Sequence, residues 1–277
     1  MNRHLFAPFL FLLASASAAQ ATEVTLEGVF TQGGLVFGRA LPGSTASLNG
    51  ESLRMTPDGR FIFGFGRDAA PKAALTVTEP DGTVVTRELK IEQRAYDIQR
   101  IDGIKKDYVT PPEDVLARIR ADSAAVATAR ETDRAETDFD SGFAWPVLGP
   151  ISGVYGSQRI FNGEPRQPHY GVDVAGPVGT PVRAPADGVV TLAHPDMYFS
   201  GATLIIDHGY GLSSSFLHLE EIQVEVGQVV RQGQVVALMG KSGRVTGSHL
   251  DWRMNWRDRR LDPVLVVGPM PQSKTTE

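Results

Sequence analysis

The sequence contains no cysteine among its 277 residues, which excludes a disulfide framework and any thiolate metal site. A metal site in this chain must therefore be built from histidine, aspartate or glutamate. Positive charge is also not in excess, because 27 Lys and Arg stand against 32 Asp and Glu, for a formal net charge of −5. No nucleic-acid partner is expected, since contacts with phosphates favour a basic surface.

Long apolar runs are absent except near the start of the chain. Arg3 precedes an apolar run at residues 5–13, and small residues follow it up to Ala19-Gln20-Ala21. This order is typical of a secretory signal, and the run is too short for a membrane span, which needs about 20 apolar residues. We predict a signal peptide at residues 1–21 and a periplasmic or secreted mature chain without a transmembrane segment. A buried N-terminal helix fits the Ala-x-Ala ending less well.

Residues 22–100 alternate between short strand-like runs and turn signals. The Asp-Gly pairs at 58–59 and 81–82 lie between such runs and indicate hairpins. Phe61, Phe63 and Phe65 alternate, which predicts that they share one face of a strand. Such a stripe could bind a ligand, but a sandwich core is the commoner explanation. We therefore predict a small β-sandwich-like N-terminal domain.

Residues 108–140 are predicted to form a helix and a linker between two domains. Thr110 can cap the helix, Pro111 and Pro112 suit its first turn, and Glu113 lies three residues after the cap. Glycine and valine then dominate residues 143–268, which predicts a second, all-β domain. The predicted fold class is mainly β: an N-terminal small β-sandwich, a connecting helix and a C-terminal antiparallel β-sheet domain with a groove.

Five histidines follow the predicted signal, and all lie between residues 169 and 249. The first, His169, is followed four residues later by Asp173, and Gly171 between them allows close backbone approach. An imidazole and a carboxylate together suit Zn²⁺. The pair alone is weak evidence, because surface histidine and aspartate often lie four residues apart.

Strand alternation gives two further predictions. His218 is expected on the same face as Phe216 and opposite Leu217. A buried, hydrogen-bonded core histidine would explain this residue if it stood alone. His249 and Asp251 are also expected to share a face. They could hold a metal, act as a proton-transfer pair, or simply form a surface hydrogen bond.

The remaining two histidines lack comparable partners in the sequence. His194 lies beside a Pro-Asp turn, and His208 precedes Gly209. We expect both to be structural or exposed, with His208 as a possible border of a groove.

Residues 145–266 resemble the lysostaphin-type, or LytM-type, zinc endopeptidases of bacterial cell wall. The resemblance covers a little under half of the chain. The matching strings, in order, are Trp-Pro at 145–146, Ile-Ser-Gly-Val-Tyr-Gly at 151–156, His-Tyr-Gly-Val-Asp-Val-Ala-Gly-Pro at 169–177, Gly-Thr-Pro-Val at 179–182, Ala-Pro-Ala-Asp-Gly-Val-Val at 184–190, His-Gly-Tyr-Gly at 208–211, Leu-His-Leu at 217–219 and Gly-Ser-His-Leu at 247–250.

The resemblance implies a zinc metalloendopeptidase that hydrolyses peptide cross-links of peptidoglycan. By this resemblance, zinc is held by His169 and Asp173 of a His-x-x-x-Asp motif and by the second position of a His-x-His motif, which is Asp251 here. The resemblance also implies that His218 and His249 are the catalytic residues that flank the reacting water.

Two positions depart from the family pattern. Phe216 stands where tyrosine is more common, and Asp251 replaces the histidine that is the third metal ligand in the family. A carboxylate binds zinc at about 2.0–2.2 Å. Its added charge should weaken the metal's Lewis acidity and shift preference towards Mn²⁺ or another hard divalent ion. The other four site positions are kept, which favours retained metal chemistry.

Two alternatives stay open at this point. A catalytically inactive LytM-like regulator would activate a cell-wall amidase or act with another regulatory protein, and it need not bind zinc. A carrier module is the second, because residues 226–236 resemble the hammerhead strands of lipoyl and biotinyl domains. That reading has little support, since Lys241 lies outside the required tight turn.

Overall fold

A computed structural model describes residues 24–101, 113–161 and 163–271 of the chain. The predicted signal peptide and the predicted helix start at Thr110, Pro111 and Pro112 lie outside the described residues. Within them the chain is mainly β, which confirms the predicted fold class. No helix in this described part is long and apolar enough to span a membrane.

The N-terminal region forms two antiparallel sheets that share buried side chains. The strands are β1 (Thr25–Gly28), β2 (Leu35–Arg39), β3 (Thr45–Leu48), β4 (Glu51–Leu53), β5 (Arg60–Gly64), β6 (Lys72–Thr78) and β7 (Val84–Lys90). Their orders are β1-β2-β5 and β4-β3-β6-β7. Phe61 and Phe63 are buried, with ring centroids 6.2 Å apart. The aromatic stripe is therefore part of the sandwich core rather than an open platform.

A single long helix, α1 (Glu113–Arg130), follows the sandwich. It is rich in Ala and Arg, which have high helix propensity, and it carries little amphipathic pattern. A short 3₁₀ helix (Asp138–Ser141) leads into the second β region. Strand β8 (Ile98–Ile101) pairs in parallel with β10 (Gln158–Phe161), and β10 pairs with β11 (Glu164–Pro165).

The C-terminal region is built on one large sheet. Its strands are β9 (Ile151–Gly153), β12 (Val172–Ala175), β13 (Pro181–Arg183), β14 (Gly188–Met197), β15 (Gly201–Asp207), β16 (Leu212–Ile222), β17 (Val229–Val230), β18 (Val235–Met239), β19 (His249–Trp256) and β20 (Arg259–Leu261), before helix α2 (Pro263–Val267). The main order is β17-β14-β15-β16-β19-β12-β9. Phe216 and Trp252 face each other across β16 and β19 on its buried side.

The sandwich contacts the large sheet through ion pairs as well as apolar packing. Arg94 donates to the buried carboxylate of Asp262 at 2.8 Å, and Glu51 accepts from both Arg257 and Arg259 at 2.5 Å. These contacts join the two regions close to the end of β19. The domain limits at 22–100, 108–140 and 143–268 stay predictions.

Candidate metal centre

The candidate site lies on the open face of the large sheet. Strands β12, β19 and β16 are neighbours there, and register puts Asp173 opposite Asp251 and Asp251 opposite Leu217. Residues directly opposite in an antiparallel pair point to the same face. The side chains consequently project into one groove of about 1740 Å³, which His218 and His249 also line. Helix α1 forms part of its wall.

Three potential ligand atoms converge on this groove floor. His169 Nε2 lies 3.0 Å from Asp173 Oδ1 and 3.6 Å from Asp251 Oδ1, and the three atoms are all within 4.8 Å of one another. Two ligands at about 2.1 Å from a tetrahedral ion are about 3.4 Å apart. The spacing therefore fits a divalent ion placed between the three side chains.

The hydrogen bonding of His169 also fits a cation. Its Nδ1 lies 3.2 Å from the carbonyl oxygen of Val154, which can only accept, so Nδ1 carries a hydrogen. Within the described chain, His169 Nε2 and Asp173 Oδ1 are buried and make no properly aligned hydrogen bond. These two atoms contact each other at 3.0 Å, but without a well-aligned hydrogen bond each remains poorly satisfied, which is costly for a buried polar atom. A cation bound by these atoms would satisfy both.

The electrostatics of His169 lead to the same conclusion. Burial alone would lower its pKa, but the nearby carboxylates of Asp173 and Asp251 outweigh burial and raise the pKa to about 10. The two carboxylates therefore favour positive charge at this point. A metal ion would take the place of that proton, as expected where metal binding releases protons.

Arg253 forms an ion pair with Asp251 and donates hydrogen bonds to both of its carboxylate oxygens. The Arg253 Nε lies 3.0 Å from Oδ1 and 3.1 Å from Oδ2 of Asp251, and Nη2 lies 2.5 Å from Oδ2. Asp251 is only 3% exposed. Burial alone would raise its pKa, but Arg253, and then His169, hold that pKa well below the usual range. Asp251 is thus anionic and fixed in orientation, and Oδ1 still faces His169.

Two glycines make room for the carboxylates. A Cβ on Gly171 would lie 2.6 Å from Asp251 Oδ1, and one on Gly153 would lie 2.1 Å from Asp173 Oδ2. Both separations are far below van der Waals contact. Gly153 is therefore required by Asp173, and Gly171 by Asp251 together with the carbonyl oxygen of Trp252, which a Cβ would also meet at 2.6 Å.

His218 and His249 lie side by side next to the carboxylates, with ring centroids 5.0 Å apart. The Nδ1 of His218 lies 2.9 Å from the carbonyl oxygen of Ser242, and that of His249 lies 2.9 Å from the carbonyl oxygen of Gly247. Each Nδ1 therefore donates, so the neutral form of either ring would have its lone pair on Nε2. Burial lowers the pKa of His218, which keeps this ring neutral near pH 7.

The prediction that Phe216 and His218 share a face is wrong. Phe216 is fully buried in the core, whereas Leu217 and His218 both line the groove. The register between β15 and β16 shifts between the pairs Ala202–Leu219 and Leu204–Phe216, so β16 has one extra residue. His218 takes a positive φ of 64° at this bulge. A bulge redirects side chains, which brings His218 beside His249.

His208 does not border the groove. Its ring is completely buried, with Nδ1 2.7 Å from the carbonyl oxygen of Asp187 and Nε2 2.9 Å from the hydroxyl of Ser214. Burial lowers its pKa to about 4. His194 Nδ1 accepts from the backbone N–H of Asp196 and is not among the groove residues. Both histidines are structural.

Several groove residues were missed by sequence reasoning. Arg253 continues the alternation of His249 and Asp251, so extending the pattern by two residues would have found it. Arg260 lies on β20 opposite Asn255, which follows Arg253 by two residues on the same face of β19. Arg130 comes from the last turn of α1, and no local pattern connects it with the site.

Comparisons with known proteins agree with this geometry. Residues 167–263 match the model described as Peptidase family M23. The chain is 35% identical over 143 residues to the peptidoglycan DD-endopeptidase ShyB of Vibrio cholerae and 41% identical over 108 residues to ShyA of the same organism. These alignments cover 51% and 38% of this chain but only 30% and 24% of the two relatives.

One solved structure is similar over a much longer part of the chain. It is described as a candidate peptidase M23 from Pseudomonas aeruginosa, and it aligns at 27% identity with a TM-score of 0.66. The alignment covers 86% of this chain and 95% of that one, so it includes most of the N-terminal region. The family match at residues 167–263 confirms the resemblance predicted from the motifs.

Proposed function

We propose that this protein is an exported zinc metalloendopeptidase that hydrolyses peptide cross-links of peptidoglycan. One observation carries the metal assignment: donor atoms of His169, Asp173 and Asp251 lie within 4.8 Å of one another on the floor of an open groove. The match to peptidase family M23 and the relatives named peptidoglycan DD-endopeptidases support the reaction and the substrate class.

The roles of the chain's own residues follow from their hydrogen bonds. When bound, the metal would supply the Lewis acidity that polarises the scissile carbonyl and makes water more acidic. His218 is held by Ser242 so that its Nε2 can accept a proton from the attacking water. His249 is oriented by Gly247 through Nδ1, and in its protonated form the Nε2–H would donate to the developing oxyanion or the leaving amine. The two rings therefore divide the proton transfers.

The open groove suits an extended peptide. Its floor is a sheet face and one wall is α1, where Ile119, Val126 and Ala127 contribute apolar surface. Export follows from the predicted signal at residues 1–21, with the periplasm as the proposed destination. N-terminal sequencing of protein recovered from the periplasmic fraction, expected to begin after Ala21, checks this part separately.

A second candidate is the metal-free regulator of a cell-wall amidase. One specific observation favours it: both carboxylate oxygens of Asp251 already accept hydrogen bonds from Arg253. In that case Arg253 would replace the metal as the partner of Asp251, and the protein would carry no stoichiometric ion.

Metal content and cleavage measured together test the proposal. We expect about one zinc per wild-type chain by mass spectrometry, as catalytic zinc sites hold one ion, and cleavage of cross-linked muropeptides. Asp251→Ala should lose both, and Asp251→His should keep the metal. His218→Ala should keep the metal and lose cleavage. Stoichiometric manganese would keep the mechanism but change the ion.

The contrary outcomes are distinct. Loss of metal in His218→Ala, to the same extent as in Asp251→Ala, would contradict the separate roles of these residues. A wild type that binds neither zinc nor manganese, while Asp251→His binds zinc, would favour the regulator.

A further inference from the structure

Three arginines gather in the groove beside the candidate metal centre. Arg253 and Arg260 lie on the sheet, and Arg130 reaches them from the last turn of α1. Arg130 Nη2 donates to the hydroxyl of Ser215 at 3.0 Å, and Ser215 is directly opposite Arg253 in the register of β16 and β19. We call Arg130, Arg253 and Arg260 the arginine cluster.

The cluster is short of negative charge. Among the ion pairs between described residues, Asp251 is the one carboxylate that contacts any of its members, and it contacts Arg253 alone. Arg260 is held instead by the neutral side-chain oxygen of Asn255 at 3.1 Å. Although acidic side chains line other parts of the groove, three guanidinium groups that share one ion-paired carboxylate form a local site for an anion.

Unused donors occur in the same place. In the described part of the structure, Arg130 Nε and Asn255 Nδ2 are buried and have no hydrogen-bond partner. Asn255 as a whole is only 1% exposed. Burial, together with Arg260 and Arg253, lowers the pKa of Arg130 to about 9. Burial and Arg253 likewise lower the pKa of Arg260. Burial and neighbouring guanidinium groups therefore disfavour the charged forms of Arg130 and Arg260, and an anion between these side chains would offset that cost.

The register relates the cluster to the metal ligands. Residues two apart on a strand are about 7 Å apart on the same face. Arg253 is thus about 7 Å along β19 from Asp251. Asn255, which lies opposite Arg260, is about 14 Å from Asp251 along the same face. An extended peptide has a similar repeat of about 7 Å for every two residues. A group bound by the cluster would belong to a residue close to the peptide bond at the metal centre.

We propose that the arginine cluster is a subsite for a free carboxylate of the substrate peptide, close to the bond that is cut. The planar guanidinium group matches a carboxylate in two parallel hydrogen bonds, which explains arginine rather than lysine at all three positions. The proposal rests on the proposed function for the identity of the substrate. The subsite itself rests on the cluster and can be tested by binding.

Binding to an inactive full-length chain provides the test. The His218→Ala protein with zinc is titrated with cross-linked muropeptides and with the same muropeptides after amidation of their free carboxyl groups. We expect amidation to weaken binding about tenfold or more, since hydrogen bonds between charged groups are about twice as strong as neutral ones. Adding Arg130→Gln or Arg260→Gln should remove this discrimination, and Arg130→Lys should restore part of it.

Arg244 provides the matched control. It lines the same groove but lies over the ring of Phe199, at 4.5 Å from its centroid, away from the cluster. Arg244→Gln should keep the full discrimination. Equal binding of the native and amidated muropeptides, or no binding of either, would overturn the subsite. So would an equal loss of discrimination in the Arg244 and Arg130 variants.

Cleavage by the protein with His218 intact separates this proposal from the proposed function. Discrimination in binding without cleavage of either muropeptide would support the subsite and contradict the peptidase. Cleavage of both at the same rate and affinity would support the peptidase and overturn the subsite.

Discussion

Replacing Arg253 by methionine should destabilise the metal-free protein far more than the zinc-bound protein. Arg253 is the partner that neutralises Asp251, which is 3% exposed, and methionine keeps much of its volume without the charge. Removing one member of a buried ion pair costs about 3–5 kcal/mol, because the other charge loses its main partner; His169 Nε2, 3.6 Å from Asp251 Oδ1, is a longer second contact. For a chain of this size, that corresponds to a decrease in Tm of roughly 6–20 °C.

A bound metal should cancel most of this loss. If Asp251 is a metal ligand, the ion supplies the positive charge that Arg253 otherwise provides, so the residual loss should be within about 1 kcal/mol. The two effects are measured by thermal unfolding of wild type and Arg253→Met, each in EDTA and each in excess zinc. The zinc-induced rise in Tm should be larger in the variant than in wild type.

The control for this experiment is Arg244→Met, which removes a groove arginine that does not contact Asp251. Its Tm should change by the same small amount in EDTA and in zinc. If Arg253→Met lowered Tm equally with and without zinc, Asp251 would not exchange one cation for another, and its assignment as a ligand would be refuted.

Two further predictions concern the support of the site and the buried histidine. Gly171→Ala should displace Asp251 Oδ1, so the metal content should fall at least as far as in Asp251→Ala. The circular dichroism spectrum should stay native. Full metal content in this variant would contradict the steric argument. Burial lowers the pKa of His208 to about 4 and raises that of neighbouring Asp207 to about 6. Between pH 4 and pH 6 the unfolded state binds more protons at His208 than the folded state does, so the contribution of His208 to stability rises with pH. At Asp207 the folded state binds more protons, so the contribution of Asp207 to stability falls with pH. The two nearly cancel in wild type. Relative to wild type, the free energy of unfolding of His208→Gln should therefore decrease by roughly 2–3 kcal/mol from pH 4 to pH 6, and that of Asp207→Asn should increase, as measured by urea unfolding. Parallel curves of stability against pH for all three proteins would refute the opposing contributions of His208 and Asp207.

The fold was predictable where local rules decide it. Asp-Gly turns between alternating runs predicted the hairpins of the sandwich, and alternation predicted that Phe61 and Phe63 point the same way. Each rule acts over a few residues, so a single sequence contains the information. The packing of the sandwich against the end of β19 depends on ion pairs such as Glu51 with Arg257, which lie far apart in sequence and follow no local pattern.

The site was predictable in part for the same reason. Alternation on β19 correctly grouped His249 with Asp251, but alternation on β16 failed at His218 because a bulge adds one residue there. Bulges are set by pairing with the neighbouring strand, which the sequence of one strand does not reveal. Arg130 is a stronger case, since its place beside Ser215 depends on where the whole of α1 lies.

The geometry also changes how the carboxylate at residue 251 is understood. From the sequence, aspartate in place of histidine adds one negative charge to the ligands and should weaken the metal's Lewis acidity. The structure adds Arg253, which contacts both oxygens of that aspartate. A family site of two histidines and one aspartate carries a charge of −1, and His169, Asp173, Asp251 and Arg253 together also carry −1. Aspartate with arginine therefore carries the same formal charge as a neutral histidine at this position. The expected shift towards harder ions should be small while Arg253 is present and should increase when it is removed.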